Sequence, residues 1–268
     1  MSKIKECSLN ESNEMELKRY IEKKGAIFLS TPFSRKAVDR LIKFKVKAFK
    51  IGSGECNNYP LIEHIASFGK PMIISTGMND IDCVKKTVAI LENKGVEYAL
   101  LHCTNIYPTP PNLVRLDCIR QLKKAYPSCL VGLSDHTLGI ECPVVAIALG
   151  ATVIEKHFIL DKSIGGPDAH FSLDEKEFTE MVSAVRKAEQ MIGKVDYEMT
   201  DKKKKSRQFS RSLFIVKDVK SGDKISNENV RSIRPGFGMH PRHLSEIIGK
   251  KFKQDFEKGT PMNFDLIN

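Results

Sequence analysis

The sequence lacks any apolar run near the roughly 20 residues that a membrane-spanning helix needs. Its first segment, Met1–Glu16, is polar and lacks the apolar stretch of a secretory signal. Biased composition is absent too, since hydrophobic residues make up 41% and charged residues 28% of the 268 positions. These absences argue against a disordered, fibrous or membrane-spanning protein, and we expect a globular cytoplasmic one with no membrane partner.

Two kinds of short motif, paired cysteines and glycine-rich phosphate loops, are also missing. The seven cysteines are an odd number, and no close pair has metal-ligand spacing. A disulfide framework and a zinc ribbon are therefore poorly supported, and we expect reduced thiols, mostly buried as small apolar groups. Neither a GxGxxG nor a Walker A pattern is present.

The positive charge is concentrated toward the carboxyl terminus. Residues 1–193 hold 26 basic and 23 acidic side chains, whereas residues 194–268 hold 17 and 10. Basic segments can bind nucleic acid, but this excess includes one run, Lys202–Lys205, without interleaved aromatic residues. We therefore interpret the run as a solvated linker and expect no nucleic-acid partner. The net charge of +10 also favours the approach of a small anionic substrate.

Short apolar runs alternate with segments of helical periodicity. The predicted strands are Ala26–Leu29, Ala48–Ile51, Met72–Ile74, Tyr98–Leu101, Leu130–Leu133 and Val153–Ile154. The predicted helices are Glu14–Lys24, Arg35–Phe44, Pro60–Phe68, Ile81–Asn93, Leu113–Ala125, Pro143–Leu149 and Asp174–Ile192. Strands that alternate with helices every 25 residues or so, about the length of one βα unit, predict a parallel α/β sheet.

Polar residues follow the predicted strands at their carboxyl ends, as in Ser53-Gly54-Glu55 and Ser134-Asp135-His136. A doubly wound sheet usually binds nucleotide through a glycine-rich first turn, which is absent here. A ring of polar strand ends is instead how a TIM barrel builds its active site. We therefore predict a TIM-type (β/α)8 barrel, although six strand–helix units are recognisable and two are missing.

A second domain is predicted after Ile192. Residues 194–208 are charged and lack periodicity, which is typical of a linker. Residues 209–268 contain short strand-like runs separated by turns, including the glycine-rich Arg234-Pro235-Gly236-Phe237-Gly238. The predicted organisation is a partial barrel at 1–193, a linker at 194–208 and a small β-rich domain at 209–268.

The ordered strand ends resemble the motifs of bacterial N-acetylneuraminate (sialic acid) synthases. The matching segments are Phe49–Pro60 (FKIGSGECNNYP), Ile74–Met78 (ISTGM), Leu101–Pro108 (LHCTNIYP), Leu133–Thr137 (LSDHT), Glu155–Phe158 (EKHF) and Gly166-Pro167-Asp168. The carboxyl-terminal domain, with its Arg234–Gly238 motif, resembles the antifreeze-like (SAF) domain of the same family. Each motif is moderately specific, whereas the ordered set, from about Ser8 onward, is very specific.

The resemblance implies an activity. The family condenses phosphoenolpyruvate with N-acetylmannosamine and water to give N-acetylneuraminate and phosphate, with Mn²⁺ or Mg²⁺ as cofactor. It also implies a domain-swapped homodimer, in which the SAF domain of one chain covers the barrel mouth of the other. Synthases of legionaminic or pseudaminic acid use other amino sugars and are the alternative. Gly52–Asn58 and Cys103–Pro108 are more similar to the N-acetylmannosamine enzyme.

The chain departs from the family at its amino-terminal end. The family's first two βα units carry a glutamate, a lysine and an asparagine used in catalysis and substrate binding, and nothing in Met1–Lys24 replaces them. We therefore expect a truncated barrel that by itself releases little or no phosphate from phosphoenolpyruvate. A non-catalytic fragment, or half of a split enzyme, is the second hypothesis, because open sheet edges invite partner pairing.

Two histidines predict a metal site. His136 and His157 end successive predicted strands, so they should lie side by side at the barrel mouth. Two imidazoles leave coordination positions open for water and a substrate oxygen, as a catalytic metal requires, and the resemblance places the metal on these positions. Because side chains alternate along a strand, Glu155 should point inward with His157, and Lys156 outward.

The phosphoenolpyruvate site is predicted around Lys50, a cation that ends an apolar strand. Two other roles are possible for Lys50, namely a snorkelling lysine at the barrel rim and a Schiff-base lysine. Hydroxyls and amides that converge from other strand ends hold phosphate oxygens by hydrogen bonds, and the resemblance supports that role here. The further members of this predicted set are Thr31, Ser53, Ser75, Asn105 and Ser134.

The resemblance places four residues against the sugar. Glu55, Tyr107 and Asp168 belong to the barrel, whereas Arg234 would reach the N-acetyl group of the sugar in the partner chain. The remaining histidines carry no such expectation, and we interpret His64 and His102 as structural.

Overall fold

The computed structural model describes residues 8–268. The chain forms two compact units, the first ending at Gly193 and the second beginning at Lys194. Of the seven cysteines, Cys7 lies outside the described residues. The other six are free thiols, but the expectation that they are mostly buried is wrong, since Cys56 and Cys103 are buried and the other four are half-buried.

The first unit alternates helices and strands. Its elements are α1 (Glu11–Lys23), α2 (Arg35–Lys43), β1 (Phe49–Ile51), α3 (Tyr59–Ala66), β2 (Met72–Ser75), α4 (Ile81–Asn93), β3 (Tyr98–Cys103), α5 (Asp117–Ala125), β4 (Leu130–Asp135), α6 (Glu141–Ala148), β5 (Val153–Lys156) and α7 (Glu175–Ile192). The five strands form one parallel sheet in the order β1-β2-β3-β4-β5. This arrangement confirms the predicted α/β class and forms half of a barrel.

The core of the first unit lies between the sheet and its helices. Ile51 pairs with Ile74, which in turn pairs with Leu100 across the parallel register. These three side chains, with Phe49 and Met72, are completely inaccessible to solvent. Strands of a parallel sheet are covered on both faces, so continuous apolar runs of this kind form them.

The predicted strand at Ala26–Leu29 is wrong. This segment is extended but forms no strand, and the amide of Lys50 donates to the Ser30 carbonyl over a long 3.4 Å. Phe28 is buried, whereas Ile27 and Leu29 are 60% and 40% exposed. The run thus packs on one face only, while a strand of a parallel sheet is normally covered on both.

Helix boundaries follow local capping. The Asp80 side chain accepts from the Cys83 amide at the start of α4, and Asp174 forms a capping box with Glu177 at the start of α7. The predicted start of α5 at Leu113 is wrong, because Pro111–Leu113 forms a 3₁₀ turn and Arg115 has a φ of 52°. A left-handed residue interrupts an α-helix, which delays α5 to Asp117.

The second unit has its own core. It contains α8 (Asp201–Ser206), β6 (Ser212–Ile215), β7 (Val230–Ile233) and α9 (Leu244–Ile247), with β6 and β7 antiparallel. Leu213, Ile215, Val230 and Phe252 are fully buried in it. The predicted linker at 194–208 contains α8, which begins where the Thr200 side chain accepts from the Lys203 amide.

None of the helices within residues 8–268 is long and apolar enough to cross a membrane.

Candidate active site

The carboxyl ends of β1 to β5 carry a connected polar network. Lys50 Nζ donates to Ser75 Oγ at 2.8 Å and to the Ile51 carbonyl at 2.9 Å. It also lies 3.4 Å from Glu155 Oε2. Because β1 and β5 are the opposite edges of the sheet, this ion pair requires the sheet to curl until its edges approach each other.

Glu155 connects the lysine to a second hydroxyl. Ser134 Oγ, on β4, donates to Glu155 Oε1 at 2.8 Å. Glu155 was not among the predicted site residues, although strand alternation from His157 had indicated that it points inward. The structure places it beside Lys50, where its carboxylate lies opposite the ammonium group.

Ser53 and Asn105 flank Gly77 in the same region. The Ser53 hydroxyl is buried and has no hydrogen-bond partner among residues 8–268. A buried hydroxyl without a partner is costly, so this group suits a bound oxygen atom. The Asn105 amide donates to Tyr107 Oη at 3.1 Å. Thr31 lies next to Gly52, 4.0 Å from the position that a Cβ would take there, and so borders this cluster.

If Ser53 and Asn105 hold phosphoenolpyruvate as the motifs predict, alanine at Gly77 is expected to weaken its binding about tenfold, roughly the loss of one hydrogen bond. It is also expected to lower stability by about 1–3 kcal/mol, the usual cost of overpacking. The added Cβ would overlap Asn105 Oδ1 and lie 2.9 Å from both Ser53 Oγ and the Cys103 carbonyl. Calorimetric titration with phosphoenolpyruvate and a denaturant melt measure the two effects. Gly52→Ala is the control, since its nearest atom is 4.0 Å away; equal losses in both variants would contradict the assignment.

The two predicted metal-binding histidines lie together. The ring centroids of His136 and His157 are 5.2 Å apart. Tyr107 packs at 4.3 Å from the His136 ring, and Phe171 packs at 4.9 Å from the His157 ring. The aromatic rings therefore fix the orientation of both imidazoles from the side.

The hydrogen-bond partner of His136 indicates which nitrogen of its ring is free. His136 Nδ1 lies 3.3 Å from the Thr104 carbonyl, which only accepts, so the proton belongs on Nδ1 and Nε2 keeps its lone pair. His157 Nδ1 lies 3.6 Å from Asp168 Oδ2, which is too long for a hydrogen bond, so this carboxylate is an electrostatic neighbour of the ring. Burial, and then the charge of His157, lower the pKa of His136. A neutral imidazole with a free Nε2 is the form that binds metal.

The donor set fits an open metal site. Within the described part of the chain, no group of three or more His, Cys, Asp or Glu side chains is arranged to hold a metal ion. The protein would therefore supply the two imidazoles, leaving the remaining positions to water and substrate oxygen atoms. Closed structural sites use four protein ligands, so this arrangement suits a catalytic metal.

The predicted sugar-binding residues are distributed over both units. Glu55 is half-buried and its Oε2 accepts from Asn58 Nδ2 at 2.7 Å. Tyr107 and Asp168 adjoin the histidine pair. Arg234 is exposed at the end of β7 in the second unit, where it was predicted to act on a partner chain.

His64 and His102 have structural contacts. His64 Nε2 lies 3.1 Å from Asp39 Oδ1, and His102 Nε2 donates to the Val114 carbonyl at 2.6 Å. Lys156, predicted to point outward, lies on the side of β5 opposite Glu155, but its side chain is buried against Asp135. Sequence periodicity gave its direction and could not show this partner.

Acidification is expected to destabilise the protein through His102. Burial lowers its pKa, so the folded state keeps the ring neutral while the unfolded chain protonates near pH 6.5. The stability is therefore intact above pH 6.5 and is lost as the pH falls below it, by at most about 1.4 kcal/mol per pH unit for this proton. Urea unfolding of the wild type and His102→Gln at pH 7.5 and 5.5 checks this. An identical pH dependence in both proteins would contradict it.

The curled parallel sheet, with a lysine, a carboxylate and two open-sided histidines at its carboxyl edge, defines a TIM-type α/β enzyme. Residues 1–197 match the NeuB family, and residues 210–267 match the SAF domain. The chain belongs to the NeuB family, as its motifs predicted.

Characterised relatives are sugar-acid synthases. The chain is 43% identical to a pseudaminic acid synthase of Campylobacter jejuni over 90% of this chain and 70% of that protein. It is 36% identical to an N,N'-diacetyllegionaminic acid synthase of Legionella pneumophila over 98% and 76%. The N-acetylneuraminic acid synthetase structure of Leptospira borgpetersenii superposes with a TM-score of 0.74 at 29% identity, covering 78% of this chain and 73% of that one.

Proposed function

We propose that this protein is a synthase that condenses phosphoenolpyruvate with an N-acetylated amino sugar and water, giving a nine-carbon sugar acid and phosphate. The observation that carries the proposal is the Lys50–Ser75–Glu155 network, which lies on the same strand-end surface as the His136–His157 pair. An anion-binding cation beside an open metal site is the combination that this condensation requires.

Lys50 would hold the negative charge of phosphoenolpyruvate. Its side chain is only 12% exposed, so its charge acts in a poorly hydrated environment. Ser53 offers a hydroxyl without a partner, while Ser75 and Ser134 offer hydroxyls already oriented by Lys50 and Glu155. Asn105 would complete the cradle. Because an enol phosphate is already a nucleophile, the lysine acts as a counter-charge and no imine is needed.

His136 and His157 would hold the divalent metal, Mn²⁺ or Mg²⁺. When bound, the metal would polarise the aldehyde carbonyl of the sugar. The neutral form of His136, favoured by burial, is the one that coordinates. The Asp168 carboxylate lies 3.6 Å from His157 Nδ1, and a shortening of this distance when the metal binds would place the proton on Nδ1 and leave Nε2 to the metal.

The bond changes balance without a further reactant. The methylene carbon of phosphoenolpyruvate attacks the sugar aldehyde and forms the new carbon–carbon bond. Water then adds at the neighbouring carbon, and one of its protons goes to the former aldehyde oxygen. The carbon–oxygen bond to phosphate breaks as the added hydroxyl becomes the ketone, and its proton leaves with the phosphate. The side chains of Glu55, Tyr107 and Asp168 would orient the sugar, while the Lys50 cluster would hold the departing phosphate.

The amino sugar is the finer part of the proposal. N-acetylmannosamine is the sugar that the strand-end motifs predicted. The names of the relatives give comparable support to the amino sugars that lead to pseudaminic and legionaminic acids. Incubating the protein with Mn²⁺, phosphoenolpyruvate and each amino sugar, with mass spectrometry of the product, distinguishes them. Phosphate release with no sugar-acid product in any reaction would contradict the synthase.

A non-catalytic fragment, or half of a split enzyme, is the second candidate. It is favoured by the apolar side chains beside β1, where Ile27 is 60%, Leu29 40% and Phe33 70% exposed. A chain that binds phosphoenolpyruvate and Mn²⁺ in separate titrations but forms no product with any sugar would support this candidate. Turnover by the purified chain would exclude it and would also overturn the expectation of little phosphate release.

We further propose a domain-swapped homodimer in which Arg234 contacts the sugar bound by the partner chain. Arg234→Ala is then expected to raise the KM for the amino sugar about tenfold or more, the usual cost of a lost charged hydrogen bond. Dimer formation, measured by analytical ultracentrifugation, should be unchanged because the exposed Arg234 side chain is not part of the second unit's core. An unaltered KM for the sugar would contradict this role. If turnover is undetectable, sugar binding by calorimetry replaces KM.

A further inference from the structure

A buried ion pair joins the last residues of two neighbouring strands. Lys156 Nζ lies 2.5 Å from Asp135 Oδ2, and both side chains are 1% exposed. Removing two charges from water is costly, and a buried pair is weak evidence for stability because apolar residues often replace it without loss. Stability therefore does not explain why a buried ion pair is found at this position.

The pair lies where the backbone ladder ends. Asp135 and Lys156 are the last residues paired in the register of β4 and β5. His136 and His157 follow them directly, so the two imidazole rings project from backbone beyond the ladder. Beyond the ladder, the backbone of each histidine is bound to another segment, since the His136 carbonyl accepts from the Thr109 amide at 2.8 Å and the His157 carbonyl from the Leu173 amide at 2.9 Å. The direct link between the two chains at this point is made by the Asp135 and Lys156 side chains.

The pair supplies these contacts on both sides of His136. Asp135 Oδ1 accepts from the Thr137 amide at 2.9 Å, and Lys156 Nζ donates to the Thr137 carbonyl at 2.5 Å. Lys156 directly precedes His157 in the chain. Its ammonium group contacts Asp135 and Thr137, the residues directly before and after His136. The two histidine backbones are clamped together from the face opposite Glu155.

We propose that Asp135 and Lys156 are positioning residues that set the spacing and orientation of the His136 and His157 rings for a divalent cation. The inference rests on the proposed function in one respect, namely that the two histidines bind the metal. Neither residue touches the reacting atoms; they act through the backbone to which the histidines are attached.

The test replaces the pair by apolar residues of similar size, Asp135→Leu/Lys156→Met, so that no buried charge is left alone. Mn²⁺ is the only probe, and its dissociation constant is measured by electron paramagnetic resonance of the free ion. We expect binding about 10–100-fold weaker than in the wild type, the usual effect of losing outer partners of metal ligands. The control is Asp82→Leu/Lys85→Met, an exposed pair at 2.8 Å on α4, which should leave Mn²⁺ binding unchanged.

A second readout needs no metal. Long-range ¹H–¹⁵N spectra of histidine-labelled protein report the tautomer and environment of each ring. In the double variant, the His136 and His157 signals should shift or broaden, while those of His64 and His243 stay in place. If the wild type itself bound no Mn²⁺, the metal assignment would fail, and these spectra alone would decide the positioning role.

Two results would overturn the proposal. One is a folded double variant with wild-type Mn²⁺ affinity. The other is unchanged His136 and His157 signals. If the double variant does not fold, Asp135→Asn serves instead, since it keeps the volume and the acceptor for the Thr137 amide but removes the charge that holds Lys156. About tenfold weaker Mn²⁺ binding is expected there, and unchanged binding with unchanged histidine signals would overturn the proposal equally.

Discussion

Replacing Lys50 by methionine is expected to weaken phosphoenolpyruvate binding about 100-fold. A hydrogen bond to a charged group contributes about 1.5–3 kcal/mol, and each 1.4 kcal/mol is a factor of ten in affinity. The Lys50 charge is 12% exposed and directed at the strand ends, so water screens it little. Its loss also leaves the Glu155 carboxylate unopposed beside an anionic ligand. Isothermal titration with phosphoenolpyruvate measures the effect.

The Lys50 variant should remain folded. Its partner Glu155 is 41% exposed, so water can solvate the carboxylate once the ammonium group is gone. Lys47→Met is the control, because Lys47 is exposed just before the same strand and changes the net charge equally. Equal losses in the two variants would indicate a general effect of charge on the anion. Wild-type affinity in Lys50→Met would remove Lys50 from the site.

Replacing His157 by alanine is expected to weaken Mn²⁺ binding at least about 100-fold. Outer partners of metal ligands alone contribute 10–100-fold to affinity, and the described residues provide two imidazoles and no third clustered ligand. The imidazole is 32% exposed, so its removal opens no closed cavity and the fold should persist. Electron paramagnetic resonance of Mn²⁺ titrated into the protein measures the affinity.

His64→Ala is the matched control for this experiment. His64 lies on α3, paired with Asp39, and its removal should leave Mn²⁺ binding at the wild-type level. Treatment with a chelator should abolish any sugar-acid formation by the wild type, and Mn²⁺ should restore it. Product formation that persists in the chelated protein, or Mn²⁺ binding retained by His157→Ala, would separate the histidine pair from the proposed chemistry.

The elements that the sequence predicted well are those with strong local signals. The bounds of α4 were predicted in full, because Asp80 caps its start and a lysine–glycine pair follows its end. The start of α5 was predicted wrongly because Arg115 adopts a left-handed backbone conformation. The segment Ala26–Leu29 was predicted wrongly because it is buried on one face only. Both features arise from tertiary contacts that sequence periodicity does not report. The parallel direction of the strands was predicted from their spacing along the chain alone.

The site was predicted in its parts but not in its connections. His136 and His157 follow adjacent strands, so the sequence alone indicated that they lie together, and their rings are 5.2 Å apart. Strand alternation also gave the directions of Glu155 and Lys156. It could not show that Glu155 pairs with Lys50, or that Lys156 is buried against Asp135.

The family, the alternation of strands and helices, and the residues at each strand end could be predicted from the sequence, because these depend on local pattern and order along the chain. The charge pairs, in contrast, depend on the folded chain. Lys50 meets Glu155 because the sheet curls until its edge strands approach, and that curl is a property of the whole sheet. Lys156 is buried because Asp135 supplies the opposite charge across the strands, and a buried charge requires such a partner.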